Sequence, residues 1–314
     1  MKAFKNASVY AEGKGIIRTS VYFDDKIRQI GGYVAGAEEI ELPENAVVLP
    51  GFIDEHIHGA GGSDAMDGNT KDLAIIAETV AKEGTTSFLA TTMTQSKENI
   101  LKAMRAVKEY REAAGEQGAR IVGVHLEGPF IAAAHKGAQP LEYVAAPDAK
   151  TFDEYNAACG NAIKIITLAP ETDGALDFIR HIVAQGTVVS IGHTGAKYAE
   201  VKAAMEAGAT NVTHTYNAQS PLHHREIGVV GSALLLEDLY CELICDTIHV
   251  SVPAMQLLVK NKRADKLALI TDAMRAKGLA DGVSELGGQT VYVKGGEARL
   301  ADGTLAGSVL RMNR

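Results

Sequence analysis

The stretch Thr187–Gly208, TVVSIGHTGAKYAEVKAAMEAG, decides the fold. It opens with a short apolar run, Thr187–His193, of the length of a buried strand. In Ala196–Ala207 that follows, Tyr198, Val201 and Met205 fall at i, i+3 and i+7, the spacing of one helix face, and Gly208 closes the segment. A strand feeding an amphipathic helix is half of a parallel-sheet unit. The same pairing recurs upstream, where Ile163–Pro170 precedes Ala175–Gln185, with Leu176, Ile179 and Val183 on one face and Gly186 as the stop. Leu73, Ala77 and Val80 mark another helix, closed by Gly84. Further apolar runs at Val47–His58, Thr86–Thr92, Arg120–Gly128, Asn211–Asn217, Tyr240–Asp246 and Lys266–Asp272 bring the strands to eight. Near-continuous apolar strands are covered on both faces. Eight such units in one chain predict a closed (β/α)8 barrel of the α/β class rather than an open sheet.

Residues 1–49 read differently. Ser8–Tyr10, Ile16–Phe23 and Ile27–Ile30 are β-rich pieces separated by the turn signals Glu12-Gly13 and Asp24-Asp25, which predicts a small antiparallel sheet. Residues 285–305 read as hairpin strands inserted before a last helix, expected from about Ala306. The expected organisation is a small β domain of residues 1–49 together with about 285–305, and a barrel of residues 50–284 and 306–314 whose last helix is incomplete.

Lys plus Arg number 31 and Asp plus Glu 39, so the 314-residue chain carries a formal charge of −8, which argues against a general nucleic-acid binder. Hydrophobic residues at 46% and charged ones at 22% are those of a globular protein with a large core. No apolar run reaches the length of a membrane span, and the opening MKAFKNASVYAEGKG lacks the apolar stretch of a secretory signal. Cys159, Cys241 and Cys245 are too few for a disulfide framework. Together these features predict a reducing, cytoplasmic setting and no membrane partner.

The chemistry lies at the strand ends. The first strand ends Asp54-Glu55-His56-Ile57-His58, and alternation puts Asp54, His56 and His58 on one face. Later strands end at Glu127, His193, His214 and Asp272. In a barrel these ends converge on one mouth, where active sites of this fold lie. Carboxylates gathered in a low-dielectric mouth repel one another, and a divalent cation relieves that repulsion. Imidazole nitrogens with carboxylate oxygens suit zinc, iron, manganese or cobalt; among thiols only Cys245 lies near a strand end. A catalytic metal lowers the pKa of a bound water, and a carboxylate beside it takes the proton and returns it. Asp272, alone on the eighth strand, is the expected acid/base. His125 shares a face with Glu127 but lies deeper and reads as structural, whereas His135 and His181 read as surface residues.

These segments carry a resemblance. PGFIDEHIHG (Pro50–Gly59) resembles the first-strand signature of the amidohydrolase superfamily. HLEGPF (His125–Phe130), GHT (Gly192–Thr194), THTYNA (Thr213–Ala218), the IHV around His249, TDAM (Thr271–Met274) and LAGS (Leu305–Ser308) resemble, in order, the N-acetylglucosamine-6-phosphate deacetylase family. That resemblance implies a barrel with a small β-sandwich, usually in a homodimer. It implies that Glu127, His193 and His214 ligate the main metal and that His56 and His58 hold a second, giving one or two ions per subunit, zinc or iron first among the candidates. Substrate contacts would come from Ala138, Gln139, Asn217, Ala218, Arg225, His249 and the segment Leu305, Ala306 and Gly307, with Arg225 reaching a neighbouring subunit's site. Related binuclear enzymes bridge their metals with a modified lysine at the end of the fourth strand. Lys164 lies at the start of that strand, so Glu127 is the better bridge.

The implied reaction is hydrolysis of N-acetylglucosamine 6-phosphate to glucosamine 6-phosphate and acetate, in amino-sugar catabolism. Two rivals are the same metal chemistry on another N-acyl substrate, and a truncated sugar-binding scaffold without turnover. The second arises because members of that family continue for some tens of residues beyond LAGS, whereas this sequence stops at Arg314. On that reading the barrel seam and the sheet edge of residues 1–49 lack partners, and low stability is expected.

Overall fold

The computed structural model describes residues 1–113 and 118–314. They form two compact units, residues 1–51 and 52–314.

In the larger unit eight strands run in sequence order around one parallel sheet: β1 (Phe52–Ile57), β2 (Thr85–Thr91), β3 (Arg120–Glu127), β4 (Ile163–Leu168), β5 (Val188–Ile191), β6 (Asn211–Val212), β7 (Tyr240–Ile244) and β8 (Leu267–Ile270). β1 and β8 meet at the mouth through a bridge between Ile57 and Ala273 and a bond from the Asp272 N–H to the His56 carbonyl (2.8 Å). The buried Asp54 carboxylate accepts from the Thr271 N–H (3.3 Å) and hydroxyl (2.6 Å), standing in for ladder bonds the two strands do not make. The sheet is thus a nearly closed barrel, as the strand count predicts.

Each of the first seven strands is followed by a helix: α1 (Thr70–Ala81), α2 (Lys97–Glu112), α3 (Ala149–Ala158), α4 (Ala175–Ala184), α5 (Tyr198–Ala207), α6 (Gly228–Leu235) and α7 (Val252–Asn261). The Asn69 side chain caps α1 by accepting from the Asp72 N–H, and the helix buries Leu73, Ile76, Ala77 and Val80. α4 buries Ala175, Phe178, Ile179 and Ile182, so the expected Leu176 and Val183 flank the buried stripe rather than centre it. Removing each large aliphatic of these stripes from water contributes about 1.5–3 kcal/mol.

Two expectations need correction. Val47–His58 is not one strand: Val47–Val48 pair in the N-terminal sheet and Phe52–Ile57 in the barrel. Pro50, which lacks an N–H, separates them. The helix expected from Ala306 does not form. Gly307 has φ +63°, and Ser308 donates its N–H to the Asp272 carbonyl (2.8 Å) while accepting from the Met274 N–H (2.9 Å). The backbone here is committed to the end of the eighth strand, so its groups are not free for i to i−4 bonds.

In the smaller unit Lys2–Ala11, Gly15–Phe23 and Ile27–Ile30 form the expected antiparallel strands, while Glu38–Glu39 and Val47–Val48 add parallel to the first, making the sheet mixed. Ala7, Val9 and Val21 are its buried centre. β9 (Gly282–Leu286), β10 (Gln289–Lys294) and β11 (Glu297–Leu300) form a separate antiparallel sheet. Their Leu286, Val291 and Ala298 pack with Met93 and Met274 of the barrel unit.

Candidate metal centre and its cavity

The barrel brings six of the expected side chains to one place. His56 and His58 end β1, Glu127 ends β3, and His193, His214 and Asp272 follow β5, β6 and β8. All are at most 9% exposed. His193, His214 and Asp272 have φ of +47°, +27° and +48°. A left-handed residue other than glycine costs about 1–3 kcal/mol and persists only where the surroundings impose it, as at functional sites.

Glu127 Oε1 lies 3.1 Å from His193 Nε2 and 3.1 Å from His214 Nε2, and these two nitrogens are 3.1 Å apart. The His193 Nδ1–H donates to the His135 carbonyl (3.0 Å), so its Nε2 presents a lone pair. A carboxylate oxygen and a lone-pair nitrogen at this spacing repel each other unless something positive sits among them. Ligands about 2.0–2.1 Å from one tetrahedral cation stand about 3.3 Å apart, close to the observed triangle.

A second group adjoins the first. His58 Nε2 is 3.3 Å from Glu127 Oε2 and 3.2 Å from Asp272 Oδ1. His56 Nε2 is 3.4 Å from Glu127 Oε1 and 3.5 Å from Asp272 Oδ1, and no atom of the described residues satisfies it as a hydrogen-bond partner. Glu127 thus faces both groups, in the position of a bridge. The two groups, Glu127–His193–His214 and His56–His58–Asp272, have the spacing to hold a divalent metal, and neither contains a cysteine. The donor set of imidazoles and carboxylates suits such an ion.

With protons as the only cations, the cluster polarises strongly. Burial opposes a charge on His58, but Asp272 and Glu127 outweigh it and push its pKa up to about 10. Burial likewise opposes ionisation of Asp272, yet the His56 and His58 charges pull it down to about 2. A divalent metal held by these residues would take the place of these protons. His125 is different: Nδ1 donates to the Glu55 carbonyl (3.0 Å) and Nε2 meets Thr167 Oγ1 (2.8 Å), while burial, then the His56 charge, lower its pKa to about 4. Both its nitrogens are occupied, and it packs behind the cluster.

A cavity of 330 Å³ opens onto the cluster. Its wall includes Ala138, Gln139, Asn217, Ala218, His249, Leu305 and Gly307, all anticipated, and also Met93, Thr304 and His135. His135, expected at the surface, is a wall residue whose carbonyl holds His193. Ala306 is fully buried in the apolar cluster with Met274 instead of facing the cavity. Arg225 lies outside the lining, on an exposed turn against His224. Among the described residues, no lysine or arginine lines the cavity. His249 donates from Nδ1 to Asp246 (2.5 Å); burial lowers its pKa, but Asp246 more than restores it.

Glu171 and Glu242 escaped the sequence reading, and Gln139, anticipated as a substrate contact, also supports Glu127. Gln139 donates to Glu127 Oε2 (2.6 Å) while its own oxygen accepts from the Thr94 N–H (2.7 Å), so Thr94 fixes which end of the amide meets Glu127. Glu171 accepts from the Thr194 hydroxyl (2.5 Å) and the Gly195 N–H (2.6 Å), clamping the loop that carries His193. Glu242 stands inside β7, 1% exposed, against His56. Its signal was legible: a lone acid within the apolar strand Tyr-Cys-Glu-Leu-Ile.

The model of the amidohydrolase family matches residues 47–291. The chain is 48% identical over 279 residues to N-acetylglucosamine-6-phosphate deacetylase of Bacillus subtilis (strain 168), spanning 88% of this chain and 70% of that one. It is 37% identical over 294 residues to N-acetylgalactosamine-6-phosphate deacetylase of Escherichia coli O157:H7, spanning 92% and 78%. The crystal structure of N-acetylglucosamine-6-phosphate deacetylase from Thermotoga maritima superposes with a TM-score of 0.87 at 35% identity, over 98% of this chain and 81% of that one. The chain belongs to the amidohydrolase family and, within it, to the N-acetylglucosamine-6-phosphate deacetylase group.

Proposed function

We propose that the chain hydrolyses N-acetylglucosamine 6-phosphate to glucosamine 6-phosphate and acetate, as a cytoplasmic step in amino-sugar catabolism. The observation that carries this reading is the convergence of Glu127, His193 and His214 on a 3.1 Å triangle beside Asp272, at the floor of a sugar-sized cavity. In this reading Glu127, His193 and His214 hold one divalent ion, zinc or iron, and His56 and His58 hold a second. When bound, the metal supplies Lewis acidity and makes water a stronger nucleophile at neutral pH.

The protein's own groups do the rest. Asp272, ionised at neutral pH and 12% exposed at its side chain, takes the proton of the attacking water. It then delivers that proton to the amine nitrogen as the C–N bond of the acetamide breaks. His249, oriented by Asp246, offers its outer nitrogen to the sugar. The wall of Ala138, Ala218, Leu305 and Gly307 leaves room for the ring. Among the described residues, no lysine or arginine of this wall faces a phosphate. Arg225 on its exposed turn supplies a cation to the partner's cavity in a homodimer, and a guanidinium suits a phosphate well.

Asp272→Asn is expected to lower kcat for acetate release by about 10²–10⁴-fold with metal still bound at Glu127, His193 and His214. Turnover near that of the parent chain removes Asp272 from the mechanism. Running N-acetylgalactosamine 6-phosphate beside the glucosamine substrate shows which epimer the cavity prefers.

A further inference from the structure

An ionised carboxylate in the middle of an apolar strand is costly unless its charge has a use. Glu242 is such a residue. Its neighbours on β7, Cys241 and Leu243, are 0% and 1% exposed, and Glu242 itself is 1% exposed. One oxygen, Oε2, makes both of its side-chain bonds: it accepts from His56 Nδ1 (2.9 Å) and from the His214 backbone N–H (3.0 Å). The other oxygen, Oε1, has no hydrogen-bond partner among the described residues. A single atom of β7 therefore ties a histidine at the end of β1 to the backbone of a histidine after β6; His56 stands with His58 and Asp272, His214 with Glu127 and His193, and Glu242 itself lies within reach of His56 and His125.

The geometry points to Glu242 as a positioning residue of the metal centre. By accepting from His56 Nδ1 it keeps a proton on that nitrogen and turns Nε2, which has no hydrogen-bond partner among the described residues, toward Glu127 and Asp272, where a metal would take its lone pair. By accepting from the His214 N–H it holds that residue in the left-handed conformation, φ +27°, that aims its Nε2 at Glu127. Its negative charge adds to those of Glu127 and Asp272, so the pocket balances more positive charge than its two visible carboxylates would. A carboxylate behind a histidine fixes the ring, raises its basicity, and typically changes metal affinity 10–100-fold when removed. The inference rests on the metal reading of the site.

Zinc affinity and the ring protons of the zinc-loaded protein test it together. The parent chain and the Glu242→Ala and Glu242→Gln variants are freed of metal by chelation and titrated with Zn²⁺ alone. Histidine-ring ¹⁵N-labelled samples of each are then compared after zinc loading. The expected result for Glu242→Ala is an affinity for the weaker-bound zinc reduced about 10–100-fold, with loss of one exchange-protected Nδ1–H signal. Glu242→Gln, whose amide oxygen still accepts, is expected to keep that signal while its affinity falls severalfold for want of the charge. A Glu242→Ala protein whose zinc affinity stays within twofold of the parent's and whose signal persists overturns the proposal. If Glu242→Ala does not fold, Glu242→Gln decides, and affinity within twofold of the parent's overturns it. A parent chain that binds no zinc overturns the metal reading itself, which tells the two failures apart.

Discussion

At the scale of single residues, the centre shows how burial and charge divide histidines of one strand-end layer into different roles. His58 faces Asp272 and Glu127 and is drawn toward the charged form, up to about 10. His125 is held neutral by burial and then by the His56 charge, with its pKa down at about 4. The second case makes a prediction about stability. Because the folded pKa lies below the ordinary 6.5, the unfolded chain binds more protons between those values. The contribution of His125 is complete above about pH 6.5 and is lost as pH falls toward 4. Glu55, which burial and then Glu242 raise to about 7, works with the opposite sign, so only a comparison with a variant isolates His125. In chelated protein, the parent should lose about 2 kcal/mol more than His125→Gln between pH 7 and pH 5 by urea unfolding. Equal losses contradict the assignment. His56, His58, Glu127, His193, His214 and Asp272 were legible in the sequence because each ends a strand, and fold topology alone carries strand ends to one mouth. Glu171 and Gln139 were not legible in their supporting roles, because those depend on which loop meets which at 2.5–2.7 Å, a matter of three-dimensional packing.

At the scale of elements, the strand ends work because neighbouring side chains force the turn. Gly192 closes β5 just before His193, and a Cβ added there would meet Thr213 Cβ at 2.7 Å and Thr167 Cγ2 at 2.8 Å. Both threonines are fully buried and hydrogen-bonded to each other at 2.8 Å, so neither can yield cheaply. Gly192→Ala should therefore destabilise the protein by about 1–3 kcal/mol in urea unfolding and shift His193 enough to lower bound metal. A variant with parental stability and metal content contradicts this account of the strand end. The helices illustrate the limit of reading periodicity. In α5 the buried residues are Val201, Ala204 and Ala207, with Tyr198 and Met205 at the margin. Alanines complete the buried face, and an eye drawn to large side chains rotates the stripe by a fraction of a turn. The end of the chain shows another limit. The alternation of strands and helices predicts a last helix from about Ala306, but tertiary bonds to Asp272 and Met274 claim the backbone first.

At the scale of the whole molecule, the barrel was readable because eight apolar strands and seven helices alternate with little interruption. The extent of its closure was not. Asp54, read from the sequence as one more polar residue at a strand end, instead joins β1 to Thr271 beyond β8 with its carboxylate. On the outer side of these same strands Ile53 and Leu269 are 63% and 53% exposed, and no helix follows β8 among the described residues. We propose that the gathered imidazoles and carboxylates grip a divalent cation on which deacetylation depends. The most direct test measures metal content and acetate release from N-acetylglucosamine 6-phosphate on one preparation before chelation, after it, and after adding back Zn²⁺ or Fe²⁺. Acetate release is expected to disappear with the metal and to return with it. Undiminished release from protein shown to hold no metal would contradict the proposal.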